Sequence, residues 1–156
     1  NTDADGVSVA EYEPLLPAQG AWNAHEQHMA PATGVMCAEL EAFMPRADLR
    51  IGRVGLDILG LIPLQPFSIS TKVLRPGKTI ELIEATMVAN GRACIVARAW
   101  RMQISDTRAI AGTEDRDIKR PEALADWTGM KQWAGGFIES MQIKAHAERR
   151  AGKRVV

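Results

Sequence analysis

The sequence predicts an α+β fold in which one antiparallel sheet wraps around a single long helix, and three observations carry that prediction. Phe67 to Ile104 holds three apolar-rich runs separated by two turn signals, the pattern of an antiparallel meander. Upstream, AHEQHMAPATGVMCAELEAFMPRA is rich in Ala, Met, Leu and Glu between Pro31 and Pro45, the one strong helix signal of the first half. The chain has 156 residues, 46% of them hydrophobic and 24% charged, enough apolar material for a core and close to globular averages.

Within the meander, Asn90-Gly91 tolerates the positive φ angles of a two-residue type I′ hairpin. A two-residue loop sets Val88 opposite Ala93, Thr86 opposite Ile95, Glu84 opposite Ala97 and Leu82 opposite Ala99. In the preceding run Phe67, Ile69, Thr71 and Val73 alternate with Ser68, Ser70 and Lys72, which defines a core face. Pairing across Pro76-Gly77 puts Val73 beside Ile80. The expected core face is therefore Phe67, Ile69, Val73, Ile80, Leu82, Val88 and Ile95, with Ala97 and Ala99 leaving room for the helix. Met87, Val96, Trp100 and Met102 fall on the other face.

Residues 1–10 read as a loose, acidic tail, and Glu11 to Gln19 as a short edge strand interrupted by Pro14 and Pro17. Pro31 suits the first helical turn, where its missing N–H costs nothing. Leu49 to Leu61 reads as a long strand, bent near Gly55 or Gly60 and closed by Pro63. A first domain thus spans 1–108. Residues 109–132, with TEDRDIKRPEAL, have the composition of a linker, and 133–156 begin a second unit with Trp133, Gly135-Gly136 and Phe137 and a strand cut short.

Lys plus Arg and Asp plus Glu each number 19, so no long-range field draws nucleic acid or an anionic membrane. No apolar run approaches the roughly 20 residues that span a bilayer. Cys37 and Cys94 sit in apolar runs without metal-type spacing, which suits reduced thiols in a cytoplasmic protein. His25 and His28, three apart, do not match the two-His zinc helix motif and have no evident third ligand, so no metal is expected, nor any cofactor. A Gly-x-Ser-x-Gly nucleophile motif does not occur.

Gly20-Ala21-Trp22, Gln27-His28-Met29-Ala30-Pro31 leading into the helix and Arg75-Pro76-Gly77 in the meander carry a family resemblance. Over roughly Tyr12 to Met102 the sequence resembles the N-terminal half of the double-hotdog, TesB-like acyl-CoA thioesterases. Those proteins tend to have Gly-Pro-Trp, Gln-His-Gly-Gly-Pro and Arg-Pro-Gly or Arg-Asp-Gly at these places. Trp133 through Val156 resembles the linker exit and first strand of their second hotdog. The resemblance implies a hotdog fold, acyl-CoA as substrate, and pairing either with a second hotdog unit or as a homo-oligomer. Two departures stand out. Met29-Ala30 replaces the glycine pair, and the family's Asp, Thr or Ser, and Gln catalytic set belongs to a second hotdog outside residues 1–156. No catalytic set is therefore carried over, and the chain alone is expected to show little thioesterase activity.

Gln27 and His28 lie just before the helix N-terminus, where free N–H groups and the dipole suit polarisation of a thioester carbonyl; His28 equally suits a capping or core role. Single-hotdog thioesterases that resemble this segment place an acid on the buried helix. Counting from His28, that place falls on Cys37, with Glu39 and Glu41 the nearest acids. Arg75 and Lys78 flank the first hairpin turn and suit the phosphates of coenzyme A, or serve as solvated turn charges. Trp100, Trp127 and Trp133 suit an acyl or partner surface, or packing. Three functions remain open: an acyl-CoA thioesterase or its N-terminal half, a non-catalytic acyl-binding or assembly hotdog module, and a hotdog-type enoyl-CoA hydratase.

Overall fold

Alternation of apolar and polar side chains, broken by Asn-Gly and Pro-Gly turns, yields five strands that share one antiparallel sheet. A computed structural model describes residues 6–113 and 119–145. The strands are β1 (Ser8–Tyr12), β2 (Leu49–Ile58), β3 (Phe67–Arg75), β4 (Ile80–Ala89) and β5 (Arg92–Gln103), in the spatial order β1-β3-β4-β5-β2. Helix α1 (Met29–Ala42) lies across the concave face and buries Ala32, Met36 and Leu40, one stripe at i, i+4 and i+8. Against it pack Phe67, Ile69, Ile83, Ala85, Met87, Ile95, Ala97 and Ala99. The alanines of β4 and β5 keep the sheet surface low beneath the helix.

The type I′ hairpin forms as expected: Asn90 has φ +51° and Gly91 φ +70°, and Ala89 pairs with Arg92. Two expected registers are corrected. Val88 pairs with Ala93, but Met87 pairs with Ile95, so Cys94 is an extra residue that shifts all pairing beyond it by one. The loop around Pro76-Gly77 contains four residues, which sets Val73 opposite Ile83 rather than Ile80. Ile80, Leu82 and Val88 consequently leave the core, and Ile83, Ala85, Met87 and Ala89 take their place. Phe67, Ile69, Ile95, Ala97 and Ala99 stay where the alternation put them. The convex face carries an ion-pair row across four strands, with Glu84 2.8 Å from Arg98 and 3.6 Å from Lys72, and Arg98 3.9 Å from Asp57.

At the N-terminus β1 occupies the sheet edge but begins at Ser8, inside the segment read as tail. Pro14 and Pro17 fall after it, where Leu16–Ala18 makes one 3-10 turn instead of continuing the strand. After the linker the chain makes a short helix α2 (Gly136–Ser140) where a strand was expected. On either side of α2, β6 (Ala125–Asp126), within the linker, pairs with β7 (Lys144–Ala145) over two residues, and residues 146–156 lie outside the described part.

At the C-terminal end of α1 sits Arg101, 4% exposed. Its Nη2 donates to the carbonyls of Leu40 (2.7 Å) and Phe43, and its Nη1 to Met44 O (3.2 Å) and to Glu81 Oε2 (3.1 Å). Helix ends leave carbonyls unpaired, and a cation there also opposes the negative end of the dipole. Arg101→Met should lower stability by about 3 to 5 kcal/mol, because it leaves three carbonyls unpaired and the buried Glu81 carboxylate with Arg46 at 3.9 Å as its remaining ion-pair partner; Glu81→Leu added to it should restore part of the loss in a denaturant melt. Gly91→Val should cost on the order of 1 kcal/mol or more through its positive φ, and an unchanged melt would contradict the hairpin assignment.

Candidate active site

The start of α1 is bound on two sides before any ligand arrives. His28 is the N-cap: its Nδ1 accepts the Ala30 N–H at 3.1 Å, and its own N–H donates to Ala18 O at 2.7 Å. A ring nitrogen that accepts carries no proton, so the neutral imidazole holds its proton on Nε2. Pro31 has no N–H. Among the described residues the Met29 N–H has no protein acceptor.

Gln27 is 7% exposed and ties the helix start to the β2–β3 connection. Its N–H donates to Ile62 O (2.8 Å) and its Nε2 to Pro63 O (3.0 Å), while Leu64 N–H reaches His25 O at 2.8 Å. One amide proton of Gln27 is thereby used. The connection is also held from the sheet, by Leu59 N–H to Cys94 O (2.8 Å) and Arg92 Nη2 to Leu61 O (2.6 Å).

These elements enclose a cavity of about 610 Å³. Glu26, Gln27, His28 and Met29 form its polar end; Ile58, Leu61 and Ile62 form a second wall; Met130, at the end of the linker, and Trp133 and Ile138, beyond it, form a third. Trp22 stands at the rim, 88% exposed. Phe137 stacks on the His28 ring with centroids 4.2 Å apart. A volume of this size accommodates a mostly buried small-molecule ligand, and a dominantly apolar lining with few polar groups suits one that is largely hydrocarbon.

Of the residues singled out in the sequence, Gln27, His28 and Trp133 come together here. Trp100 lies half-buried on the convex face, and Trp127 lies outside the cavity. Cys37, half-buried on α1, lies outside it too. Glu39 faces the opposite edge of the sheet, where its Oε1 accepts a hydrogen bond from the Tyr12 hydroxyl; Tyr12 stacks on Phe67 at 5.4 Å. Arg75 and Lys78 sit at the other end of the sheet. Arg75 Nη1 donates to Ile80 O (3.0 Å), and Arg46, just past the helix, donates to Gly77 O and Lys78 O. A helix of 14 residues, about 20 Å, separates them from Gln27 and His28. The described residues contain no group of three or more His, Cys, Asp or Glu able to hold a metal. No described helix is long and apolar enough to cross a membrane. Sequence reasoning missed the Tyr12–Glu39 bond, the free N–H at Met29 and the part played by Met130.

Residues 18–102, more than half of the chain, match the acyl-CoA thioesterase N-terminal domain family. The chain belongs to that family. Several solved structures share the fold of this thioesterase domain. The PaaI protein of the E. coli phenylacetic acid degradation operon is 11% identical, with 65% of this chain and 75% of that one covered at a TM-score of 0.54. A thioesterase from Haemophilus influenzae is 10% identical, with 63% and 71% covered and a TM-score of 0.53. A Helicobacter felis homologue of HP0420 is 8% identical, with 66% and 74% covered and a TM-score of 0.56. The fold is the hotdog. No curated protein sequence matches the chain.

Burial first, then the Glu39 hydrogen bond and charge, push the Tyr12 phenol up to about 12. Tyr12 is the one tyrosine of the chain, so phenolate absorbance reports it alone. The titration midpoint should lie near 12, and Glu39→Gln should bring it only part of the way back toward 10, because burial remains. Since the folded value is raised, the stability this contact contributes is whole below pH 10 and is lost as pH climbs toward about 12; Tyr12→Phe should flatten that stretch of the alkaline melt profile.

Proposed function

We propose that this domain is the N-terminal hotdog of a TesB-like acyl-CoA thioesterase, with the acyl chain in the 610 Å³ cavity and the thioester carbonyl at the start of α1. The observation that carries the proposal is the opening of an apolar cavity onto the start of the helix, where the Met29 N–H has no protein acceptor among the described residues. That N–H, at the positive end of the dipole, and the second amide proton of Gln27 are the donors available to a carbonyl oxygen whose negative charge grows as water attacks. The C–S bond then breaks, and the thiolate leaves as coenzyme A.

Water still needs a base. The Nδ1 of His28 is engaged in capping, and Glu39 holds the Tyr12 hydroxyl, so neither stands ready at the cavity. The base is assigned to a second hotdog unit, either the tandem one or another copy. Support comes from β2, a ten-residue strand at the sheet edge that exposes Leu56 and Ile58 alongside Arg50, Arg53 and Asp57. A long unpaired edge with exposed aliphatic side chains is a surface that proteins ordinarily cover. Arg75 and Lys78 keep their proposed role as phosphate contacts only for a coenzyme A arm that runs to the far end of the sheet.

The same two engaged side chains favour a second reading, a non-catalytic acyl-binding module. Thiol release separates the two. The chain 1–156 should bind a non-hydrolysable acyl-CoA thioether yet turn over acyl-CoA at little above background, and a supplied second hotdog unit should raise the rate by about 10² to 10⁴, the usual contribution of general base catalysis. In that assembly Gln27→Ala should lower turnover at least tenfold. Binding without turnover in the assembly supports the module instead. Full turnover by the chain alone would place the base among Glu26, His28, Cys37 and Glu39, of which Glu26 and His28 line the cavity, to be found by alanine substitution.

A further inference from the structure

Two walls of the cavity belong to the hotdog itself, and the third does not. Met130, Trp133 and Ile138 come from the end of the linker and the segment after it, yet they complete the slot beside Gln27 and His28. The way this segment is attached is unusual. Gly135 has φ +118°, and a Cβ there would meet Gly20 O at 2.5 Å and the Ala21 Cα at 2.9 Å. A Cβ on Gly136 would come within 1.9 Å of Leu16 O. Only glycine permits backbone to meet backbone so closely, and the positive φ adds a second reason at Gly135.

Directed bonds complete the attachment. Phe137 N–H donates to Gln19 O (3.1 Å), and Gly136 N–H to Gln19 Oε1 (3.2 Å). Gly20 N–H in turn donates to Glu26 O (2.7 Å), next to Gln27, and Phe137 lies on the face of His28. The outer wall is thus indexed to the residues that would hold the carbonyl, so the distance from reacting carbon to wall is set by the fold. Trp133 N–H closes a turn on Met130 O at 3.0 Å, which carries both side chains into the slot together. The indole is the largest side chain on this wall and is 47% exposed, so it borders the opening as well as the interior.

We propose that Met130–Ile138, seated by Gly135 and Gly136, is the chain-length gauge of the acyl slot, with Trp133 as the specificity-determining residue. The proposal rests on the acyl-CoA reading above and adds where selectivity resides. A wall that only covers the core would affect stability when trimmed. A gauge affects which acyl chain is preferred, by about fourfold for each additional methylene that finds a place out of water.

The test is calorimetric titration of the chain with S-alkyl-CoA thioethers of increasing length. For the native chain, affinity should rise with length and then stop rising. Trp133→Ala should move that limit to longer chains and improve the long-to-medium affinity ratio at least fourfold, while Trp133→Phe should lie between the two. Met130→Ala provides the same readout if the tryptophan variant does not fold. Trp100→Phe, on the convex face, should behave as native. An unchanged length limit in folded Trp133→Ala and Met130→Ala would overturn the gauge while leaving the acyl-CoA reading intact. A native chain that binds none of the thioethers would overturn both.

Discussion

The placement of α1 depends on a single cation at its far end. Arg101 gathers three terminal carbonyls of the helix and the Glu81 carboxylate, so the helix is fixed lengthwise as well as pressed onto the sheet. Apolar burial of Ala32, Met36 and Leu40 holds the helix down but is tolerant of sliding, because dispersion and the hydrophobic effect have little direction. Hydrogen bonds to named carbonyls are directional. With its C-terminus pinned, the helix presents its N-terminus, with His28 and Met29, at one fixed depth between the β2–β3 connection and the segment beyond the linker. A site that depends on a backbone N–H needs that precision, since a donor displaced by an ångström loses most of its effect on a developing charge.

Much of this architecture was legible in the sequence, and the reasons differ by element. β3 was plain because Phe67, Ile69, Thr71 and Val73 alternate without interruption, and the hairpin because few dipeptides other than Asn-Gly accept two positive φ angles in succession. The face of β4 was not legible. Ile80, Leu82 and Val88 lie on one register and Ile83, Ala85 and Met87 on the other, each with one glutamate, Glu84 or Glu81, so the pattern tolerates either, and the extra residue at Cys94 leaves no mark in composition. Arg101 is a further case: an arginine in an apolar strand reads as a surface charge until the helix end above it is known.

The site was half legible. Gln27 and His28 could be placed at the helix start from Pro31 alone, whereas the glycine pair at 135–136 read only as part of a second unit and its close approach to Gly20 and Leu16 went unseen. What the sequence could not express is competition for hydrogen bonds. His28 has the chemistry of a base, and Glu39 sits on the buried helix as such an acid should, yet one is engaged with Ala30 N–H and the other with Tyr12. Residue type states what a side chain can do; the neighbours it has already bonded decide what is left for a substrate.

The additional residue at Cys94 gives the register a safeguard. In the unbulged alignment Arg101 would still point beneath the helix but would face Ile80, while Glu81 would turn to the solvent side. A slipped hairpin would therefore bury a guanidinium without its carboxylate, a fault worth about 3 to 5 kcal/mol. That exceeds what any one apolar residue regains by switching faces. The misaligned sheet, which would also turn Glu84 toward the helix opposite Ala97, is rejected by charge, and the chain can carry aliphatic residues on both faces of β4 without losing its way during folding.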